Sequence, residues 1–223
     1  ARHLTSAGIL RIESGKPSFD DGPTEINARM TFGSFGTYQP YIALKQKISS
    51  DYALKAALNG TFSKGGYPYK LHNGKLETIE KRINSDVQSY GADVDFYADW
   101  DNKGQLKAKV NFHGSERGLP GSVIFYTQSA YERLWDRAII SNLMYDCNFG
   151  YKWKFHADAG FTSNFNRHLN SDPIYPHPQD SRYTQNEYSI SLRTLYEPAE
   201  MWQIAIAEDL FCNTLASNIP ECP

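Results

Sequence analysis

Apolar and polar residues alternate along most of the chain, and apolar stripes of helical spacing are nearly absent. The clearest stretch covers residues 89–100. Its even positions hold Tyr90, Ala92, Val94, Phe96, Ala98 and Trp100, and its odd positions include Asp93, Asp95 and Asp99. A period of two is typical of a β-strand with one apolar face. Residues 105–113 repeat the pattern after a tight-turn sequence at 101–104.

The alternation predicts about nine strands. The others lie near residues 26–32, 38–48, 52–62, 138–145, 151–161, 188–196 and 202–210. Short turns are expected near 49–51, 101–104, 146–150 and 197–200, and long polar connections at 63–85, 114–133, 166–185 and after residue 213. Short and long connections alternate, so in an up-and-down meander each kind lies at its own end of the sheet.

This asymmetry favours a transmembrane β-barrel. Outer-membrane barrels combine long strands, short turns at one end and long loops at the other, whereas strands of soluble proteins average about five to six residues. Tyr90 and Trp100 share one face, and at a tilt near 40° they span roughly 25 Å, the height of a membrane band between aromatic girdles. The predicted fold is an all-β, antiparallel up-and-down barrel. A lipocalin-like soluble barrel with its apolar face inward stays an alternative.

Composition removes several classes of protein. The chain has 223 residues, 14% of them aromatic, and a net charge of -2. No apolar run reaches the roughly 18 residues of a spanning helix, and the aromatic content argues against disorder. Charges of both signs are interspersed, so no nucleic-acid partner is expected. Cys212 and Cys222 could pair in an oxidising compartment or stay free thiols.

Motifs for catalysis or cofactor binding are not found in the sequence. No nucleophile motif, phosphate-binding glycine loop, HExxH or EF-hand pattern occurs, so we expect neither enzyme activity nor a cofactor. Asp93, Asp95 and Asp99 follow a period of two, which favours a solvated lumen wall over an acid-base pair or a calcium site. His168 and His177 lack metal-ligand spacing, so no metal site is predicted.

Six strings carry a resemblance to a known family. SERGLPGSVIFY at 115–126, followed by RLWDR at 133–137, resembles a segment of TonB-dependent outer-membrane receptors of the Bacteroidetes type. GSFGTY at 33–38 is similar to the first barrel hairpin of that family, and SAGILRI at 6–12 to the last strand of its plug. NSD at 84–86 and RYTQ at 182–185 also lie where the family has similar strings.

The resemblance implies an outer-membrane receptor with a plug inside a barrel of about 22 strands. Such a receptor takes up a large, scarce ligand of the cobalamin or siderophore type with energy from TonB. Residues 1–19 would end the plug and its linker, and 20–223 would form the first part of the barrel. The implied partners are outer-membrane lipid, TonB, the remaining plug and barrel, and a surface lipoprotein. The alternative is a small complete or soluble β-barrel that binds a ligand or serves in surface adhesion.

Ligand contacts in such a receptor would come from the external loops and the upper lumen. By position the candidates are Tyr67, Tyr69, Arg117, Tyr126 and Tyr175. Tyr and Arg are enriched in recognition surfaces because they offer a large contact area or a fork of donors. These side chains could equally pack the loops, and the block around Arg117 and Trp135 could pin a loop to the barrel.

Overall fold

The computed structural model describes residues 22–121, 130–199 and 201–219, apart from the side chains of Asn73 and Asn102. The strands are β1 (Thr24–Gly33), β2 (Thr37–Lys47), β3 (Tyr52–Ser63), β4 (Pro68–Asn73), β5 (Leu76–Lys81), β6 (Val87–Asp99), β7 (Gln105–Leu119), β8 (Glu132–Phe149), β9 (Trp153–Asn170), β10 (Gln179–Ala199) and β11 (Trp202–Ser217). A short 3-10 turn covers Asp101–Lys103. The described residues include no helix long and apolar enough to cross a membrane.

Nine of these strands form one antiparallel sheet in the order β1-β2-β3-β6-β7-β8-β9-β10-β11, and β4 and β5 form a separate hairpin. The predicted all-β, up-and-down architecture with about nine strands is therefore confirmed. β1 and β11 are the two edges of the sheet, so the described strands do not close a barrel. The expected plug residues, 1–19, lie outside the described residues.

The strands extend further than the alternation predicts. β7 and β8 pair as far as Leu119 and Glu132, and β9 and β10 as far as Asn170 and Gln179. The predicted connection 166–185 is thus mostly strand, 114–133 is strand at 114–119 and 132–133, and 63–85 contains the β4–β5 hairpin. β11 likewise continues past residue 213 to Ser217. At the other end, β8 reaches Phe149 and β10 reaches Ala199, so two short turns begin later than expected.

All connections fall at one of two ends. The long-loop end holds the connections after β1, β3, β7 and β9, and the short-turn end holds those after β2, β6, β8 and β10. The first hairpin, although at the long-loop end, has a tight turn in which Phe35 and Gly36 both have positive φ. The predicted separation of short and long connections is correct apart from this turn.

The apolar face of the sheet is not covered by any other part of the described chain. Its side chains remain exposed, among them Ile26 at 69%, Leu58 at 57%, Val94 at 43% and Leu210 at 68%. The buried hydrophobic residues of the described chain are only Ala53, Tyr97, Ala98 and Cys147. An exposed apolar surface of this extent marks contact with another apolar medium or partner, because soluble monomers rarely expose more than a few hundred Å².

Aromatic residues border this apolar band on both sides. Towards the long-loop end they are Phe32, Tyr38, Phe62, Tyr90, Phe112, Phe161 and Tyr188, and towards the short-turn end they include Tyr52, Trp100, Trp153 and Tyr196. Many contact one another. Tyr38 stacks on Phe62 at 4.8 Å and Trp153 on Tyr196 at 4.2 Å, and the Trp100 indole N–H donates to the Tyr52 hydroxyl at 3.0 Å.

The band runs obliquely across the hydrogen-bonded rows. Phe32, Tyr38 and Phe62 lie in one row, whereas Phe161 and Tyr188 lie three outward-facing rows closer to the short-turn end. From β1 to β10, a distance of about 34 Å across the sheet, the border therefore shifts by about 20 Å along the strand direction. This corresponds to an angle of about 30° between the border and the hydrogen-bonded rows, and to the same tilt of the strands. Strands of transmembrane barrels tilt by a similar angle.

Two glycines make room for rings of this border. A Cβ at Gly60 would lie 2.8 Å from the Phe62 ring, and one at Gly114 would lie 2.7 Å from the Tyr90 ring. Each ring thus folds over the bare backbone of a glycine and shields it. Phe62 covers Gly60 of its own strand, whereas Tyr90 of β6 covers its partner Gly114 on β7, which favours that register between the two strands.

We expect Val94→Arg to destabilise the folded barrel by about 2–4 kcal/mol, the cost of a charge at the middle of a lipid-facing band. Val94 pairs with Val110 halfway between the two aromatic borders. Asn111→Arg is the matched control, because Asn111 faces the opposite side and donates to Asp93 at 2.5 Å. Urea unfolding from lipid vesicles would measure both. Greater damage from Asn111→Arg would reverse the assignment of the two faces.

Candidate functional site

Four of the five candidate ligand-binding residues lie at the long-loop end. Tyr67 precedes β4, Tyr69 lies within it, Arg117 lies near the end of β7 and Tyr175 in the connection after β9. Tyr126 is outside the described residues. Each of the four contacts its own surroundings, so they share one end of the sheet without forming a single cluster. Their role in ligand binding stays a prediction.

Tyr67 lies in the segment between β3 and β6 and packs against the turn of the first hairpin. Its ring meets Phe35 edge to face at a centroid distance of 6.0 Å. Both rings remain substantially exposed, at 42% and 50%. Aromatic pairs with one face open to solvent are suited to stacking against a planar or apolar ligand.

Arg117 is held on the inward, polar face by Asp136. Its guanidinium lies 3.0 Å from the Asp136 carboxylate, which also accepts from Ser115 at 3.3 Å and from Asn166 at 2.5 Å. Asp136 therefore joins β7, β8 and β9 at the upper lumen wall. The Arg117 side chain is still 45% exposed, so it can present donors to a ligand while Asp136 fixes its position.

A second set of contacts ties the β3–β6 connection to the base of the β7–β8 connection. The Asn84 amide donates to the carbonyls of Leu119 and Glu132 at 3.0 and 2.7 Å. The Gly118 amide donates to the Asp86 carbonyl at 2.9 Å. Arg133 pairs with the Asp86 carboxylate at 2.8 Å. We call these residues the loop clamp.

Two details show how closely the loop clamp is packed. Asn84 has a φ of 47°, a left-handed conformation that Asn tolerates better than most residues. A Cβ at Gly118 would lie 2.4 Å from the Asn84 amide oxygen, so residue 118 must be glycine for the two segments to approach. The strings 84–86, 115–121 and 133–137, separate in sequence, thus meet at one place, and the block around Arg117 does pin a loop.

The β4–β5 hairpin is held by the neighbouring Arg82. Its guanidinium donates to the Gly121 carbonyl at 2.5 Å and lies over the Tyr69 ring at 5.9 Å. Tyr69 therefore supports the hairpin base through a cation-π contact. This contact gives Tyr69 a structural role.

The inward face between the two ends carries paired polar groups. Lys109 lies 3.9 Å from Asp95, Lys45 lies 2.7 Å from Glu25, and Asn142 donates to Asp158 at 2.9 Å. A face of this kind is typical of a water-filled or protein-filled lumen. Among the described residues no group of three or more His, Cys, Asp or Glu side chains is placed to hold a metal ion.

An open cavity of 410 Å³ lies at the opposite, short-turn end of the inward face. Its lining includes Asp146, His156 and Arg193, and His156 Nδ1 lies 2.6 Å from the Asp146 carboxylate. The sequence did not indicate this cavity, because Asp146 was assigned to a turn. The free thiol of Cys147 is buried beside it. Cys212 is exposed, and its possible partner Cys222 lies outside the described residues.

Asp136 and Asn166 are the main residues of the long-loop end that sequence reasoning missed. Asn166 lies in a segment that was assigned to a connection, and Asp136 lies between the predicted connection 114–133 and the predicted strand 138–145. Their inward position could have been found by extending the two-residue period of β8 and β9 past the apolar band.

Comparisons with known proteins give little further information. No family model matches the chain, and no curated protein matches it. One similar solved structure is OmpT (in-vitro folded), an outer membrane protein of Vibrio cholerae, at 10% sequence identity and a TM-score of 0.37. The alignment covers 89% of this chain and 62% of that one, so this chain spans less than two thirds of its length. A likeness of this size carries no argument about function.

The loop clamp should open in acid. The hydrogen bond from Arg133 holds the pKa of Asp86 below its ordinary value of 3.8. A depressed pKa in the folded state stabilises the clamp above about pH 4 and loses that contribution as the pH falls further. Hydrogen exchange, expressed as protection factors, should therefore show selective loss of protection at the Gly118 amide below about pH 4.

Asp86→Asn should reproduce at neutral pH the exchange that the unmodified protein shows in acid. Asp101→Asn, at the short-turn end, is the control and should leave Gly118 protected. Equal loss in both variants would mean that the effect of acid is global and that the Asp86–Arg133 pair does not control the clamp.

Proposed function

We propose that the chain forms part of a β-barrel in a bacterial outer membrane. The observation that carries this proposal is the exposed apolar band with an aromatic border on each side. Its outward side chains would contact lipid, the aromatic rings would lie at the level of the headgroups, and the polar inward face would line the lumen.

A small complete or soluble barrel is the weaker alternative. An eight-stranded soluble barrel closes on itself and leaves no edge. Here nine strands leave β1 and β11 as open edges. The two oblique aromatic borders are ten residues apart on β3, from Tyr52 to Phe62, and eight on β9, from Trp153 to Phe161. Borders of this kind would have no physical cause in a protein surrounded by water. An adhesive surface protein is favoured by no specific contact of the described residues.

At a finer level we propose active transport, in which the chain is the first part of a TonB-dependent receptor for a large, scarce ligand. The meeting of strings 84–86, 115–121 and 133–137 in the loop clamp supports this proposal, because a receptor must hold its recognition loops rigidly. Tyr67 and Arg117 would contact ligand, and Tyr69 would support the hairpin. Residues 1–19 would connect to the plug, and TonB and a surface lipoprotein would act through other parts of the receptor.

The membrane placement predicts surface accessibility at one end. Protease added to intact cells should cut within residues 64–81, and should cut within 101–104 only after lysis, because short turns face the periplasm. The purified chain should also require detergent to stay dispersed. The reverse cleavage pattern would invert the topology. A monodisperse monomer without detergent would replace the membrane interpretation with the soluble barrel.

The transport proposal predicts an energy requirement. Cells that carry the intact gene should grow when cobalamin or an iron siderophore is the limiting nutrient, and deletion of TonB should abolish that growth. Tyr67→Ala combined with Arg117→Ala should reduce uptake by at least about tenfold if both contact ligand. Asp101→Asn serves as the control for expression. Growth that persists without TonB would leave a passive barrel.

A further inference from the structure

Arginine and aromatic residues form a two-by-two pattern on the outer surface of β8 and β9, beyond the apolar band. Trp135 pairs across the strands with Arg167, and Arg137 pairs with Phe165. All four share the outward face of Ile139 and Phe161, which end the apolar band on these two strands. Arg167 lies over the Trp135 ring at 4.9 Å, and Arg137 over the Phe165 ring at 5.8 Å.

Arg182 on β10 extends this surface, because it pairs with Arg167. Asp180 lies between the two arginines and contacts Arg167 at 2.8 Å and Arg182 at 2.5 Å. The guanidinium groups of Arg167 and Arg182 hold the pKa of Asp180 well below its usual range, so its carboxylate stays charged at neutral pH. Asp180 is the one carboxylate opposed to the three positive charges of Arg137, Arg167 and Arg182, so the surface that these four residues form keeps a net positive charge.

Neighbouring charges limit the surface to β8, β9 and β10. Arg133 is on the same outward face, but its single positive charge is opposed by two carboxylates, Asp86 and Glu116, each at 2.8 Å. Arg137 is exposed, and no ion pair involves it within the described parts of the chain. Arg137 and Arg182, whose side chain is 52% exposed, are therefore the most available cations.

We propose that Arg137, Arg167 and Arg182 form a binding site for the phosphate groups of a membrane lipid headgroup. This proposal rests on the proposed membrane placement, which makes the long-loop end external. Guanidinium forks bind phosphate oxygens in a bidentate manner. Phe165 and Trp135 lie two and three outward-facing rows beyond Phe161 of the aromatic border, so they would contact the outer part of a large headgroup while the apolar band below the border would receive acyl chains. A phosphorylated glycolipid combines both parts in one molecule.

The test uses the protein folded in neutral detergent, with diphosphoryl lipid A as the probe and native mass spectrometry to measure its dissociation constant. Monophosphoryl lipid A and inorganic phosphate are the comparison ligands. The double variant Arg137→Gln/Arg182→Gln should bind diphosphoryl lipid A at least about tenfold more weakly, since each lost charge-assisted hydrogen bond can supply that factor. Asp180→Asn, which removes the opposing charge, should bind it more tightly.

Arg193→Gln is the matched control, because Arg193 faces inward and lies at the short-turn end. Equal weakening by this control, or no loss in the double variant, would overturn the site. Binding of inorganic phosphate as tight as that of diphosphoryl lipid A would overturn the lipid as its source. A chain that fails to enter detergent or lipid at all would instead overturn the proposed membrane placement, so the two failures are distinguishable.

Discussion

The structure depends on one constraint: every strand must pair its backbone while its apolar face remains without cover from the chain itself. Each interior strand satisfies the first condition through two neighbours. The second can be met only by an apolar surrounding, because nothing in the described chain packs over residues such as Ile26 or Leu210. The fold therefore takes its stability from backbone pairing and from what surrounds the sheet, with almost no core of its own.

The aromatic borders show how the strands are oriented in the apolar surrounding. Their oblique course requires the strands to tilt, and Gly114, which accepts the Tyr90 ring of the neighbouring strand, favours the register of β6 against β7. Beyond the border towards the long-loop end, both faces of β7 to β10 carry charged and polar side chains, with Trp135 and Phe165 among them on the outward face. The same strands then serve as supports for loops, with Asp136 on the inward side and the arginine surface on the outward side.

The difference between the strands within the band, which have one apolar face, and the same strands beyond it explains what the sequence could and could not predict. Within the band, strict alternation from Tyr90 to Trp100 identified the strand, its faces and its neighbours. Above the band, residues 114–119 and 166–170 have polar groups on both faces, so their period disappears although their pairing continues. The Asp136 cluster and the loop clamp depend on register between distant strands, which a single sequence shows only after the pairing is known. Arg117 was found by residue type, but its partner was not.

The edge strand β11 shows that the same constraint extends beyond the described chain. All of its residues are exposed, and Glu208 stands on the outward face between Ile206 and Leu210. A carboxylate in a lipid-facing row is unfavourable, although less so than a cation. A further strand paired to this edge would satisfy its open backbone groups and could offer Glu208 a donor.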